Sequence, residues 1–264
     1  MTTVGELFND AAEHFERLAP ALWNPMGNAV VAAAGLSLDQ RVLDVCCGSG
    51  ASTIPAAQEV GPGGRVDAVD LSSELLDLAA AKASALDIDT ITFARSDAAT
   101  WTGSEPYDAV LCCYGLFFLP DMAAGVRHLA SQLRRGGRLA VSTWQEQAHK
   151  PFVTLFEEAC FEEQPHLRDA PEPRPSRQLR EISTPEKLDG FLASCGFEDT
   201  KIDEMALQVP LDAELAWELV LGTGYRALLP IDQDGRDRIR DRFLGTLGDD
   251  FALNADSLIA VASR

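Results

Sequence analysis

The sequence predicts an α/β fold, a parallel sheet wound by βαβ units and covered at one end by a helical cap. Three observations carry that expectation. Short β-branched apolar runs alternate with segments of helical spacing between Arg41 and Trp144, the first run ends in a glycine turn, and glycines or capping residues punctuate the changes.

Glu6, Asp10, Glu13, Glu16 and Arg17 recur at helical spacing, so residues 1–38 read as a helical N-terminal cap. Arg41 to Cys46 is a strand, Cys47-Gly-Ser-Gly50 a turn, and Ala51 to Val60 a helix that Gly61-Pro-Gly-Gly64 stops. Arg65 to Leu71 is the second strand, and Ser72 or Ser73 caps a helix from about Glu74 to Leu86. Ile91 to Arg95 and Tyr107 to Cys113 are further strands. Asp121 to Arg134 reads as a helix ended by Gly136-Gly137, ahead of a fifth strand from Arg138 to Trp144. Pro165, Pro171, Pro173 and Pro175 make residues 145–183 an irregular insertion that reads as a lid. In residues 184–264, Thr184-Pro185 opens a helix that ends at Cys195-Gly196, and Phe197 to Leu211 is a strand region. A helical insertion spans 213–247. Ser257 to Ser263 returns to strand and is expected to pair antiparallel with the strand before it.

The chain of 264 residues carries 22 Lys plus Arg against 41 Asp plus Glu, a formal net charge of −19. Such a field repels phosphate backbones and anionic lipid, so nucleic acid is not the expected substrate. The longest smoothly apolar stretch, Ala29 to Leu36, falls far short of the ~18 residues a spanning helix needs. With no integral membrane association and no export signal, the expected location is cytoplasmic, and the six cysteines are expected to be reduced thiols. A homo-oligomer is compatible with all of this.

Gly48 and Gly50 have no side chains to block a ligand from the backbone of the turn. Twenty residues beyond Gly50, Asp70 ends the second strand, where a carboxylate accepts hydrogen bonds from both hydroxyls of an adenosine ribose. Asp97 follows the third strand and is placed to meet the exocyclic amine of adenine. A dinucleotide fingerprint would put glycine or alanine at position 53, where this chain has Thr53, and the pyrophosphate reading weakens accordingly.

These motifs resemble class I S-adenosylmethionine-dependent methyltransferases, in particular the group like the ubiquinone/menaquinone C-methyltransferases. The resemblance rests on Val42-Leu-Asp-Val-Cys-Cys-Gly-Ser-Gly50, Val69-Asp-Leu-Ser72, Ser96-Asp-Ala98, Cys113-Tyr-Gly-Leu116 with Leu119-Pro-Asp121, and Leu133-Arg-Arg-Gly-Gly-Arg-Leu139. It covers Asp39 to Trp144, making 39–144 the S-adenosylmethionine-binding core. It implies a Rossmann-like seven-stranded sheet of order 3-2-1-4-5-7-6 with the last strand antiparallel. It also implies that Gly48, Ser49 and Gly50 hold the methionine part of S-adenosyl-L-methionine, Asp70 with Leu71 the ribose, and Asp97 with Ala98 the adenine. Asp44 is then the first-motif acid near the cofactor's amino group, and Cys113 stands where the quinone enzymes often have serine.

Methyl transfer is an in-line displacement, so a protein has mainly to align a nucleophile and exclude water. His14, Tyr114 and His149 are the candidate bases. Trp23, Phe118, Trp144 and Trp217 come from segments expected to surround an apolar or aromatic small-molecule acceptor. Two glycines in Gly222-Thr-Gly-Tyr-Arg226 cost a helix about 1 kcal/mol each relative to alanine. Either the chain bends there for packing, or Tyr225 and Arg226 turn into the acceptor cavity. Cys46-Cys47 and Cys112-Cys113 end neighbouring strands, but side chains alternate along a strand, so at most half of the sulfurs converge and no metal is expected. The leading expectation is O-, C- or N-directed methyl transfer to a small molecule. The alternatives are a non-catalytic S-adenosylmethionine-binding or interaction protein and a nucleotide-dependent oxidoreductase.

Overall fold

The computed structural model describes residues 3–248 and 250–264. Helix α1 (Val4–Arg17) starts on a capping box in which Thr3 and Glu6 satisfy each other's backbone groups. A π-helical turn, Ala19–Trp23, joins it to α2 (Asn24–Ala34). The core then alternates through β1 (Arg41–Val45), α3 (Thr53–Val60), β2 (Arg65–Asp70), α4 (Ser73–Ala85), β3 (Ile91–Arg95), β4 (Tyr107–Cys113), α5 (Met122–Gln132) and β5 (Leu133–Trp144). Next come α6 (Lys150–Glu163), α7 (Arg174–Arg180), α8 (Pro185–Ser194), β6 (Glu198–Met205) and β7 (Gln208–Leu211). The chain closes with α9 (Ala213–Leu221), α10 (Gln233–Leu247), β8 (Phe251–Asn254) and β9 (Ser257–Ser263).

Seven strands make one sheet in the order β3-β2-β1-β4-β5-β9-β6, while β7 and β8 pair separately. Strands β1 to β5 run parallel, and β9 is antiparallel to both of its neighbours, β5 and β6. This is the expected Rossmann-like methyltransferase sheet, with its final strand inserted antiparallel. Val42, Leu43, Asp44 and Val45 are all buried because β1 lies mid-sheet with strands on either side. Every parallel neighbour needs a helical crossover, so the carboxyl ends of β1, β2, β4 and β5 gather on one rim.

Four expectations are corrected. Residues 145–183 are mostly helical rather than irregular, because all of their prolines but Pro171 sit where helices begin: at or next to the first position of α6, of the 3-10 turn Pro165–Asp169, and of α7. Gly136-Gly137 do not stop a helix. The helix ends at Gln132, β5 starts at Leu133, and the register shift between Tyr107 and Ala109 accommodates a bulge at Gly136, whose φ is 72°. The strand region 197–211 divides into β6 and β7 in different sheets, and β8 supplies the partner of β7. The helical insertion 213–247 is broken into α9, a 3-10 turn Gly224–Leu228, and α10.

Close backbone approaches fix the helices on the sheet. A Cβ at Gly27 would lie 2.2 Å from the Ala51 carbonyl oxygen, so α2 touches the glycine turn only because position 27 has no side chain. Gly27→Ala is expected to destabilise the protein by about 1–3 kcal/mol. Gly190 on α8 has no atom within 4 Å of its would-be Cβ, and Gly190→Ala is expected to stabilise by about 0.4–1 kcal/mol. Urea unfolding of both variants checks the two opposite signs.

Candidate active site

At the carboxyl end of β1, Asp44 is fully buried. Its Oδ2 accepts hydrogen bonds from Ser52 Oγ (2.9 Å) and Thr53 Oγ1 (2.6 Å), while Oδ1 has no partner. Burial pushes its carboxyl up to about 7, against the two hydroxyls, which pull it down. Ser52 and Thr53 open α3, so the acid sits where the helix dipole favours negative charge. The turn then passes through Cys46, Gly48 and Gly50 at φ of 53°, 54° and 89°. Cys46 is a side-chain-bearing residue in left-handed backbone, a strain of the kind concentrated at functional sites. Ser49, 1% exposed, keeps its hydroxyl buried without a partner.

Asp70 ends β2 beside this turn. Its Oδ2 accepts from the Gly48 amide at 2.9 Å and its Oδ1 from the Ser72 amide at 2.8 Å. Burial raises its carboxyl too, against those amides. Among the described residues, neither Asp44 nor Asp70 is ion-paired, and the Asp70 carboxylate raises the cost of charging Asp44.

Helix α1 lies over this rim. The Phe15 ring stands 3.3 Å from the position a Gly48 Cβ would take, and Gly5 packs against Leu71. Asn9 Oδ1 accepts from Ser72 Oγ at 2.8 Å, and Glu16 pairs with Lys82 on α4. On its other side α1 is clasped by α9. Glu218, 7% exposed, takes His14 Nδ1 on one oxygen and Arg17 on the other, both at 2.6 Å. A Cβ at Gly222 would meet the backbone of His14 and Phe15 at 2.8 Å. The glycine at 222 is thereby explained by packing.

A continuous aromatic wall runs from the turn into the cap. Trp23 stacks on Phe15 at 4.7 Å and donates through Nε1 to the Phe15 carbonyl. Its ring meets Tyr114 edge-on at 6.0 Å, Tyr114 stacks on Trp144 at 3.7 Å, and Trp144 lies 4.4 Å from the His149 ring. A cavity of about 210 Å³ opens beside Trp144, His149 and Tyr225. Tyr114, which follows β4 at φ 55°, meets Ser257 Oγ through its hydroxyl at 2.6 Å, and burial holds that hydroxyl well above the usual tyrosine range.

The remaining expected residues divide. Ala98 is buried, and Asp97 uses Oδ1 to accept from the Ala99 amide at 2.9 Å. Leu71 is partly exposed beside Asp70. Cys113 accepts the Ser142 hydroxyl at 3.3 Å, and burial pushes its thiol up to about 12. Phe118 packs edge-on against Phe8, and Trp217 is half-buried against the core. His14 is engaged by Glu218, and Arg226 donates to the Leu221 carbonyl at the end of α9, so both hold the cap together. Phe15, Ser52, Thr53, Glu218 and Ser257 escaped the sequence reading. Only Thr53 left a signal, as the residue out of place in a dinucleotide fingerprint.

Residues 42–137 match the methyltransferase domain family. The chain is 30% identical over 141 residues to the aklanonic acid methyltransferase of Streptomyces sp. strain C5, covering 53% of this chain and 64% of that protein. To the demethylmenaquinone methyltransferase of Lactococcus lactis it is 30% identical over 119 residues, 45% of this chain and 46% of the other. The chain thus spans about half to two thirds of these curated relatives. In fold it is similar to the YcgJ protein of Bacillus subtilis, with a TM-score of 0.61 at 14% identity over 91% of this chain and 98% of that one.

The sheet order is that of the class I S-adenosylmethionine-dependent methyltransferase fold, and residues 42–137 match a methyltransferase domain, for which the cofactor is S-adenosylmethionine. The residues fit that cofactor, a cation at its sulfonium and ammonium groups. The fully buried Asp44 and the half-buried Asp70 bracket a turn of bare backbone, and Asp44 Oδ1 and Ser49 Oγ are buried groups short of a partner. A pyrophosphate would instead bring negative charge to the end of α3 that Asp44 already occupies.

The raised carboxyl of Asp44 has a testable sign. It is protonated in the folded chain where the unfolded chain is ionised, so its stabilisation is complete below about pH 4 and is lost as pH rises through about 7. Chemical unfolding from pH 5 to 8 is expected to show that loss in the wild type and not in Asp44→Asn. Affinity for S-adenosylmethionine, a cation that favours the ionised acid, should rise by up to about tenfold per pH unit below 7 in the wild type. In Asp44→Asn it should stay flat by calorimetry.

Proposed function

We propose that this protein transfers the methyl group of S-adenosylmethionine to a small apolar or aromatic acceptor. The observation that carries the reading is the pair of carboxylates, Asp44 fully buried and Asp70 half-buried, without a cationic partner among the described residues, at a glycine turn roofed by aromatic rings. When bound, the cofactor supplies a methyl group on a positively charged sulfur. The backbone of Gly48 to Gly50 and Asp44 hold its methionine end, Asp70 with Leu71 its ribose, and Asp97 with Ala98 its adenine. Phe15 and Trp23 exclude water from the turn, which raises the strength of every charge interaction beneath them. Tyr114, Trp144 and the cavity beside them receive the acceptor.

The acceptor's small size and aromatic character are supported by a cavity of about 210 Å³ that Trp144, His149 and Tyr225 flank, and by a net charge of −19 that disfavours nucleic acid. Relatives named for aklanonic acid and demethylmenaquinone support the same reading. No helix among the described residues is long and apolar enough to cross a membrane, and the six cysteines are free thiols, which supports a cytoplasmic location.

Calorimetry with S-adenosylmethionine and NAD in parallel, followed by a methyl-transfer screen over quinols, phenols and amines, tests the proposal. Binding of the first ligand alone and methylation of a ring-bearing acceptor are expected; binding without transfer to any acceptor class would make this a non-catalytic binding protein. Asp70→Ala should weaken S-adenosylmethionine by about 1.5–3 kcal/mol, the range for hydrogen bonds to a charged group. Unchanged affinity would remove the ribose assignment.

A further inference from the structure

His149 is the N-cap of α6, in left-handed backbone at φ 61° and only 6% exposed. Three contacts hold it: its amide donates to the Asn254 carbonyl at 2.8 Å, Trp144 flanks its ring at 4.4 Å, and its Nδ1 lies 2.9 Å from the Tyr225 hydroxyl. Its Nε2 is buried with no partner. A chain that strains its backbone to bury an imidazole nitrogen without a hydrogen bond has left a place for a group that it does not itself supply. The ring borders the 210 Å³ cavity with Trp144, Tyr225 and Leu179, and the charged Glu146, Lys150 and Arg180 stand at its edge. Glu146 is paired with Lys187 and Arg180 with Glu172, while Glu157 lies near Tyr225.

Tyr225 is half-buried and borders the cavity, so its phenol proton can turn toward that space and leave its oxygen to accept from the imidazole. An unmet buried N–H is rarer than an unmet acceptor, so the proton belongs on Nδ1, donated to the Tyr225 oxygen, and Nε2 presents its lone pair. Burial keeps the ring neutral, pushing its ionisation down to about 4, and holds the Tyr225 phenol protonated well above the ordinary tyrosine range.

We propose that His149 Nε2 takes the proton released by the acceptor, that Tyr225 positions it by fixing its tautomer, and that the acceptor is a hydroxyl compound, a phenol or enol, that arrives protonated. This rests on the methyl-transfer reading above. The acceptor oxygen forms a bond to the methyl carbon as the methyl–sulfur bond breaks, sulfur keeps that electron pair, and the hydroxyl proton moves to Nε2. One positive charge leaves sulfur as one forms on imidazole, so the buried site never changes its net charge. That balance lets a base with so low a pKa act inside the fold, because the proton arrives only when the cationic sulfur is neutralised.

Two measurements test the proposal on the full chain. Long-range proton–nitrogen NMR, with the signal assigned through His149→Gln, is expected to show a neutral ring protonated at Nδ1 at pH 7. Tyr225→Phe should convert it to a mixture of tautomers. Single-turnover transfer from S-adenosylmethionine to phenols of graded acidity is expected to fall about 100-fold in His149→Gln for weakly acidic phenols. The loss should be much smaller for nitrophenols, which arrive as anions, with the cofactor affinity unchanged in calorimetry. A ring protonated at Nε2, equal losses across the phenol series, or methylation confined to amines overturns the proposal while the methyl-transfer reading stands. A wild-type protein that binds no S-adenosylmethionine overturns both.

Discussion

The architecture depends on one unfavourable act, the burial of the Asp44 carboxylate in the middle of the sheet. A charge taken that far from water has to be met by hydrogen bonds or surrender its ionisation. Here both occur in part: two hydroxyls at the start of α3 serve one oxygen, burial raises the carboxyl to about 7, and the second oxygen is left bare. The first turn of α3, the positive φ of Cys46 and the glycine at 48 are all arranged around that acid. The neighbouring Asp70 repeats the solution with backbone amides in place of hydroxyls. A fold that keeps a buried and a half-buried acid, neither ion-paired among the described residues, on adjacent strand ends has traded stability for a site of negative potential.

The core was legible because its signals are local. A β-branched run, a glycine turn and an acid twenty residues on need no knowledge of distant chain, and β1 to β4 stand within a residue of where the sequence puts them. Asp44 and Asp70 were legible for the same reason. The cap was not. Its prolines read as breakers, since a proline alone does not reveal whether it ends one helix or begins the next, and α6 and α7 were lost to that ambiguity. Strand β8 has four residues and no alternation to announce it; its only reason to be extended is β7, more than forty residues earlier.

Among the three candidate bases the same division holds. His14, Tyr114 and His149 are indistinguishable as letters, and their chemistry diverges only through partners far away in sequence. Glu218 occupies the first, burial holds the second protonated beside Ser257, and Tyr225 leaves the third with an unshared nitrogen. Gly222 shows the converse. It read as an anomaly in a helix, and its cause proved to be the backbone of α1 pressed against it.

The clasp between α1 and α9 also orders events in time. His14 and Glu218 are 204 residues apart, so during synthesis α1 can dock on α4 through Glu16 and Lys82 long before α9 exists to cover its other side. At roughly 5–20 residues per second that interval is about 10–40 s, during which His14 and Arg17 lack Glu218. The core strands can pair in that interval, because their contacts span far shorter stretches of chain. The clasp that backs the roof of the cleft is therefore laid well after the roof itself and the turn beneath it.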